Sequence, residues 1–272
     1  VPVIDSLKFD KAFVRITPKT FKPVVTLSNV LISSQQFGKF GFPEVEAQLT
    51  LAELLQGKIR PSRVELFKPD VLIFRDEYGH LGFGFLDLKV DKEIKPQSYW
   101  SLSGIFKMPF FSQLDSINTQ DMKLRYEDKR NSESVSFVGV QSSLIQKKGT
   151  AELNISAGLK QVDRDLAKVY FSLTDRVSEK ESKVIIKFNG LDVENLSKQV
   201  HSLGWLKHFD GLVSGAITGE LNSSGSISKL AGALTLEDGF IRTLSGESSY
   251  YLDTLNTHIR YDSIYNKMYF DN

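Results

Sequence analysis
Runs of β-branched and aromatic residues, each bounded by Gly, Pro, Asn, Asp or Ser, recur about every ten residues along the chain. That rhythm leaves room for little but a sheet, because such side chains fit a pleated surface and the bounding residues fit turns. Strands are expected near Leu7–Ile16, Val24–Ser33, Val45–Leu49, Arg63–Phe67, Val71–Arg75, Leu81–Phe85, Met122–Glu127, Ser134–Leu144, Thr150–Ala157, Ala167–Leu173, Lys183–Phe188, Leu212–Leu221, Ala231–Leu236, Tyr250–Tyr261 and Tyr265–Phe270. Most connections are too short for the crossover that parallel neighbours need, so the strands should form a meander of hairpins paired mainly antiparallel.

Two helices interrupt this pattern. In TLAELLQG, Thr50 and Glu53 fit a capping box, Leu51, Leu54 and Leu55 form a stripe, and Gly57 supplies a left-handed stop. A second helix is expected from Val193 to Phe209, capped by Asp192, with Val193, Leu196, Val200, Leu203 and Leu206 on one face. Both stripes are expected to cover an end or edge of the sheet. The glycine-rich segment Gly211 to Ile241 points to a curved sheet, and Asp238-Gly239 carries a hairpin signal. An echo about fifty residues apart, in which Asp70 and Asp121 open strands while Asp76 and Asp128 close them, has the form of a weak supersecondary repeat.

The stretch VELFKPDVLIFRDEYGHLGFGF, Val64 to Phe85, sharpens the reading, because its eleven apolar side chains in twenty-two positions do not sort onto one face of a strand. Val71 and Ile73 share one face while Leu72 and Phe74 share the other, so both faces need a cover. The polar punctuation at Asp70, Asp76 and Gly79 reads as turns, not as a reactive centre.

Composition excludes several functions. Lys plus Arg (34) nearly balance Asp plus Glu (33) among 272 residues, so no bulk charge draws the chain to nucleic acid. The absence of cysteine removes disulfides, thiolate metal sites and cysteine nucleophiles. His80, His201, His208 and His258 show no metal spacing, and Gly82-Phe83-Gly84 lacks the third glycine and the following helix of a dinucleotide loop. No enzyme, metal or cofactor is expected. No window has the apolar length of a membrane-spanning helix, and the start at Val1-Pro2-Val3 reads as an excerpt with a targeting segment or anchor expected upstream.

The leucine-rich helix with VEL..P.V...RD..G.LGF (Leu51 to Phe83) and the amphipathic helix leading into G..SG.I.GEL...G....L.G.L.LEDG.I (Gly211 to Ile241) resemble the AsmA-like family of Gram-negative envelope proteins. The opening FVRITP......VTLSNVLIS (from Phe13) is similar to the first hairpins of that family, which follow an N-terminal membrane anchor. The resemblance implies a mainly β fold: an elongated, strongly twisted antiparallel sheet forming a groove, with two short amphipathic helices. It spans 1–272 as one region with sub-units 1–107, 108–190 and 191–272. It implies a periplasmic, inner-membrane-anchored segment of a bridge-like lipid transfer protein, whose partners are phospholipid acyl chains, the inner membrane and outer-membrane components, with no nucleic acid. The candidate lining is Val14, Ile16, Leu66, Val71, Ile73, Phe83, Phe85, Leu124, Tyr126, Ile155, Ile186, Ile217 and Leu234. The competing expectation is a structural β-solenoid or sandwich of the envelope, its apolar faces closed on each other. Parity alone does not say which face of each strand is the lining.

Overall fold
The computed structural model describes residues 6–18, 21–34, 38–57, 61–75, 77, 81–85, 114–130, 133–161, 165–176, 179, 181–199, 207–222, 227–243, 249–262 and 267–271. Sixteen strands form a single open sheet. They are β1 (Ser6–Lys8), β2 (Lys11–Ile16), β3 (Pro23–Ser34), β4 (Gly38–Leu49), β5 (Pro61–Phe67), β6 (Asp70–Arg75), β7 (Leu81–Phe85), β8 (Ser116–Asp128), β9 (Glu133–Lys147), β10 (Thr150–Leu159), β11 (Ala167–Arg176), β12 (Ser182–Asp192), β13 (Phe209–Leu221), β14 (Ile227–Arg242), β15 (Ser249–Asp262) and β16 (Lys267–Asp271). The helices are α1 (Leu51–Leu55) and α2 (Val193–Gln199). From β8 to β16 the order across the sheet follows the order in the chain, as short hairpin connections require.

Every expected strand is present, the first, Leu7–Ile16, split into β1 and β2, and most run longer than the apolar runs that announce them. β8 shows why: its first half, Ser116–Asp121, is polar in sequence yet hydrogen-bonds to β5 on one side and to β9 on the other. The antiparallel rule breaks at β5–β8 and β6–β8, which pair parallel. The segment between β7 and β8 is long enough for the crossover that parallel pairing needs.

Other expectations change. Asp121 does not open a strand but lies inside β8. Asp238-Gly239 makes no hairpin; it lies inside β14, because a left-handed Asp beside a Gly serves a bulge as readily as a turn. The second helix stops short of Phe209, which already begins β13, while Val200, Leu203 and Leu206 lie outside the described residues. Its start is as expected, with the Asn195 amide donating to Asp192 Oδ1 at 2.9 Å. α1 ends as expected at Gly57, whose φ is 71°. It does not bury its stripe, however: Leu51 is 50% and Leu55 82% exposed. Asp76, Gly79 and His80 lie outside the described residues.

A line of left-handed backbone crosses the sheet between β3 and β14, passing over β10 and β11 without a left-handed residue. Asn29 in β3, Lys68 between β5 and β6, Asp121 in β8, Gly139 in β9, Gly190 in β12, Gly211 in β13 and Asp238 in β14 all have positive φ. Pairing slips by a residue at this line between β8 and β9, β9 and β10, β12 and β13, and β13 and β14. These are bulges, and each bends its strand and adds twist. The polar groups they displace are met locally. The Lys68 amide donates to the Gln120 carbonyl at 2.8 Å, and the Lys123 amide to the Pro69 carbonyl at 2.9 Å. At β12, Gln161 Nε2 donates to the Gly190 carbonyl at 2.9 Å while its Oε1 accepts from the Asp192 amide at 2.5 Å.

Two strand glycines are required by close approach. A Cβ on Gly215 would lie 2.4 Å from the Ala233 carbonyl oxygen, and one on Gly232 would lie 2.7 Å from that of Ala216. Gly158 has ordinary room, with its nearest neighbours at 3.4 Å. Overpacking of this kind costs about 1–3 kcal/mol. Gly215→Ala should therefore lower the denaturant midpoint by an amount corresponding to about 2 kcal/mol, while Gly158→Ala stays within about 0.5 kcal/mol of the parent. Urea unfolding followed by circular dichroism checks both.

Candidate functional site
Residues paired across a ladder project from the same face of a sheet, so the register sorts the side chains. One row, running from β2 to β15, is Ala12, Leu27, Val45, Leu66, Thr119, Ser142, Ile155, Phe171, Ile186, Ile217, Gly232 and Ile259. The next row on that face is Val14, Val25, Ala47, Val64, Ile117, Leu144, Leu153, Leu173, Val184, Gly219, Leu230 and Tyr261. Between them, on the opposite face, lies a mainly polar row that includes Thr26, Glu46, Glu65, Asn118, Ser143, Asn154, Ser172, Thr218 and Arg260. Across these rows the sheet therefore has one apolar and one mainly polar face, with Phe13 and Ile185 as apolar exceptions on the latter.

The bulges preserve this division. An extra residue reverses the parity of everything beyond it, and the apolar pattern reverses at the same points. In β8 the apolar positions pass from Ile117 to Met122, Leu124 and Tyr126, and in β12 from Val184, Ile186 and Phe188 to Leu191. Across the line the new parity joins the old: Met122, Leu124 and Val140 form one cluster with Val71, Ile73, Phe137, Ile155 and Ala157. Val30 and Phe42 likewise share a cluster with Val45, Val64, Leu27 and Leu66.

All eleven candidate lining residues whose side chains are described fall on this one face. Val71, Ile73, Leu124 and Ile155 meet in a single cluster, Leu66 joins the cluster around Val30, and Tyr126 joins one around Val135. Ile186, Ile217 and Leu234 are half-buried, and Val14 and Ile16 on β2 are exposed. For Phe83 and Phe85 the backbone register alone is described, pairing them with Ile73 and Val71. Sequence reasoning missed Leu27, Val45, Ile117, Leu153, Phe171 and Leu173, which stand in the same rows. Their signal was present as period-two alternation, but the reversals at the bulges hid which parity continued it. On the other face of β6, Leu72 and Phe74 are deeply buried, at 6% and 3% exposure, and the Lys129 ammonium sits 5.3 Å from the Phe74 ring centroid.

α2 covers part of the apolar face. Leu196 packs with Val135, Leu159, Ala167, Tyr126 and Leu191 at the edge of the β9–β11 region. Elsewhere the middle rows are mostly half-buried, without a second layer among the described residues. Polar groups gather on the other face. Arg15 pairs with Glu46 at 2.8 Å, and the Tyr170 hydroxyl donates to Asn154 at 2.7 Å. The ammonium of Lys229 donates to Glu220 at 2.7 Å, which holds the carboxyl below its ordinary range and raises the lysine above its own. Where β10, β11 and β12 meet the bulge line, a cleft of about 940 Å³ opens, lined by Gln161, Asp165, Leu166, Lys168, Asn189, Gly190 and Leu212. Among the described residues no three His, Asp or Glu side chains converge as a metal site would need, and no helix is long and apolar enough to cross a membrane. Compared with known protein families, curated proteins and solved structures, the chain matches none.

The two parities of β6 should separate experimentally. Phe74→Ala, at a nearly closed position, should cost about 3–5 kcal/mol of unfolding free energy. Ile73→Ala, on the half-buried side, should cost no more than about 2 kcal/mol. Equilibrium unfolding of the two variants reads the difference.

Proposed function
We propose that this chain is a segment of a bridge-like lipid transfer protein of the AsmA-like type, in which the apolar face of the sheet carries phospholipid acyl chains. The observation that carries the reading is the pair of apolar rows from β2 to β15, with a polar reverse face and residues such as Ile186 and Ile217 left half-buried. An apolar surface of this length is unfavourable in water, and burying methylene groups against it is worth about 0.8 kcal/mol each. An acyl chain is a string of methylenes, so a lipid lying along the rows satisfies many positions at once. The line of bulges supports a groove, because bends set side by side crease a sheet, with the apolar side inward. Polar headgroups would stay at the open seam, where they keep their water.

The setting follows from the same reading: a periplasmic segment, tied to the inner membrane by an anchor outside this sequence and delivering lipid toward the outer membrane. No catalytic group, metal or cofactor takes part in such passive conduction. The structural alternative, apolar faces closed against each other, calls for a second apolar layer opposite the rows. The described residues form one sheet, which favours the lipid reading.

Purification under mild conditions followed by mass spectrometry of an organic extract tests it. Phospholipid should be recovered in stoichiometric amounts. Asp substitutions at Ile155, Ile186 or Ile217 should remove most of it, while Asp at Asn154 or Thr218 in the polar row should leave it. Soluble, lipid-free parent protein that binds no fluorescent lipid would sink the proposal.

A further inference from the structure
At one end of the sheet the structure exposes apolar residues that the core does not use and that, Ile16 apart, stand outside the proposed lining. The turn after β2 and the helix after β4 lie side by side there, since Ile16 pairs with Pro23 and Val24 pairs with Gln48. Ile16 is 63%, Phe21 71%, Leu51 50% and Leu55 82% exposed. Phe21 is held there deliberately. Its φ is 50°, its amide donates to the Thr17 carbonyl at 2.8 Å, and the Thr17 amide and hydroxyl donate to the Lys22 carbonyl at 3.0 and 2.6 Å. A bulky residue in the left-handed region is uncommon, and no packing in the described structure accounts for this one. Lys22 is exposed beside these residues, and in sequence the segments 17–22 and 50–60 hold four Lys or Arg residues against one Glu.

We infer that this rim, formed by Ile16, Phe21, Leu51, Leu55 and Lys22, docks into the interface of an anionic lipid bilayer. Apolar tips flanked by cations are what that interface takes: the tips enter the headgroup and acyl boundary while lysines meet the phosphates. The four tips come from the end of β2 and from two separate connections at the same end of the sheet. The inference stands apart from lipid carriage, because none of its residues except Ile16 belongs to the proposed lining.

The chain has no cysteine, so single cysteines can be labelled with an environment-sensitive nitrobenzoxadiazole probe. Labels at Phe21→Cys and Leu55→Cys should brighten and shift to the blue on addition of phosphatidylcholine–phosphatidylglycerol vesicles, while a label at Lys187→Cys on the polar face should not. In flotation, Phe21→Ser combined with Leu55→Ser should lower the vesicle-bound fraction by about tenfold or more. Lys22→Glu should weaken binding to these vesicles more than to phosphatidylcholine alone. Both serine positions face solvent, and unchanged thermal melting of the double variant shows that its fold is intact. Vesicle binding undiminished in that variant, or labels that ignore vesicles, overturns the inference. So does protection of the Leu55 label by concentration-dependent dimerisation without vesicles, which assigns the rim to a second copy. The double variant should retain its co-purifying lipid, so loss of docking and loss of lipid carriage are separate results.

Discussion
Everything in this molecule depends on keeping a two-residue period in register across an unusually wide sheet. Each strand shows alternate residues to opposite faces, and one slipped residue would send its apolar set to the solvent side. The structure inserts such a slip in several neighbouring strands, at Asp121, Gly139, Gly190 and Asp238 among others. The apolar face survives because the sequence reverses its own parity at the same places. Between the bulged strands β9 and β12, β10 and β11 pair without a slip and keep one parity along their length.

Strand positions were legible in the sequence because β-branched runs and turn formers mark them locally. Ile155 and Ile217 could be picked out because no large apolar residue flanks them in their alternating strands, whereas Ile186 sits beside apolar Ile185 in β12. What remained hidden was non-local. Leu66 and Val71 differ in parity, and only the break at Lys68-Pro69, seated against Gln120 and Lys123, puts them on one face. The polar start of β8 carries no strand signal of its own and is a strand because two neighbours bond to it. Asp238-Gly239 was ambiguous between hairpin and bulge, since both use the same left-handed residue, and the continued pairing of β14 with β15 decides for the bulge. The leucines of α1 matched a packing stripe, yet Leu51 and Leu55 of this five-residue helix are exposed, with no wall for them among the described residues.

The doubled apolar character of Val64 to Phe85 now divides into two physical roles. Leu72 and Phe74 belong to a closed region and contribute to stability, while Val71 and Ile73 join Leu124 and Ile155 on the long apolar face. That face is partly covered by α2 through Leu196 and is otherwise without a second layer in the described residues. In the proposed function lipid supplies the missing layer. A rim of Phe21 and Leu55 at one end would set the same sheet against a bilayer, the source such a path needs.

The central claim is that lipid lies on one parity of the strands and not on the other. Photocrosslinking with a phospholipid carrying a diazirine in its acyl chain, read by peptide mass spectrometry, tests it most directly. The account predicts adducts at Ile155, Ile186 and Ile217 and none at the adjacent Ser156, Ile185 and Thr218, with apolar Ile185 the decisive control. Equal labelling of Ile185 and Ile186, or labelling of neither, would contradict it.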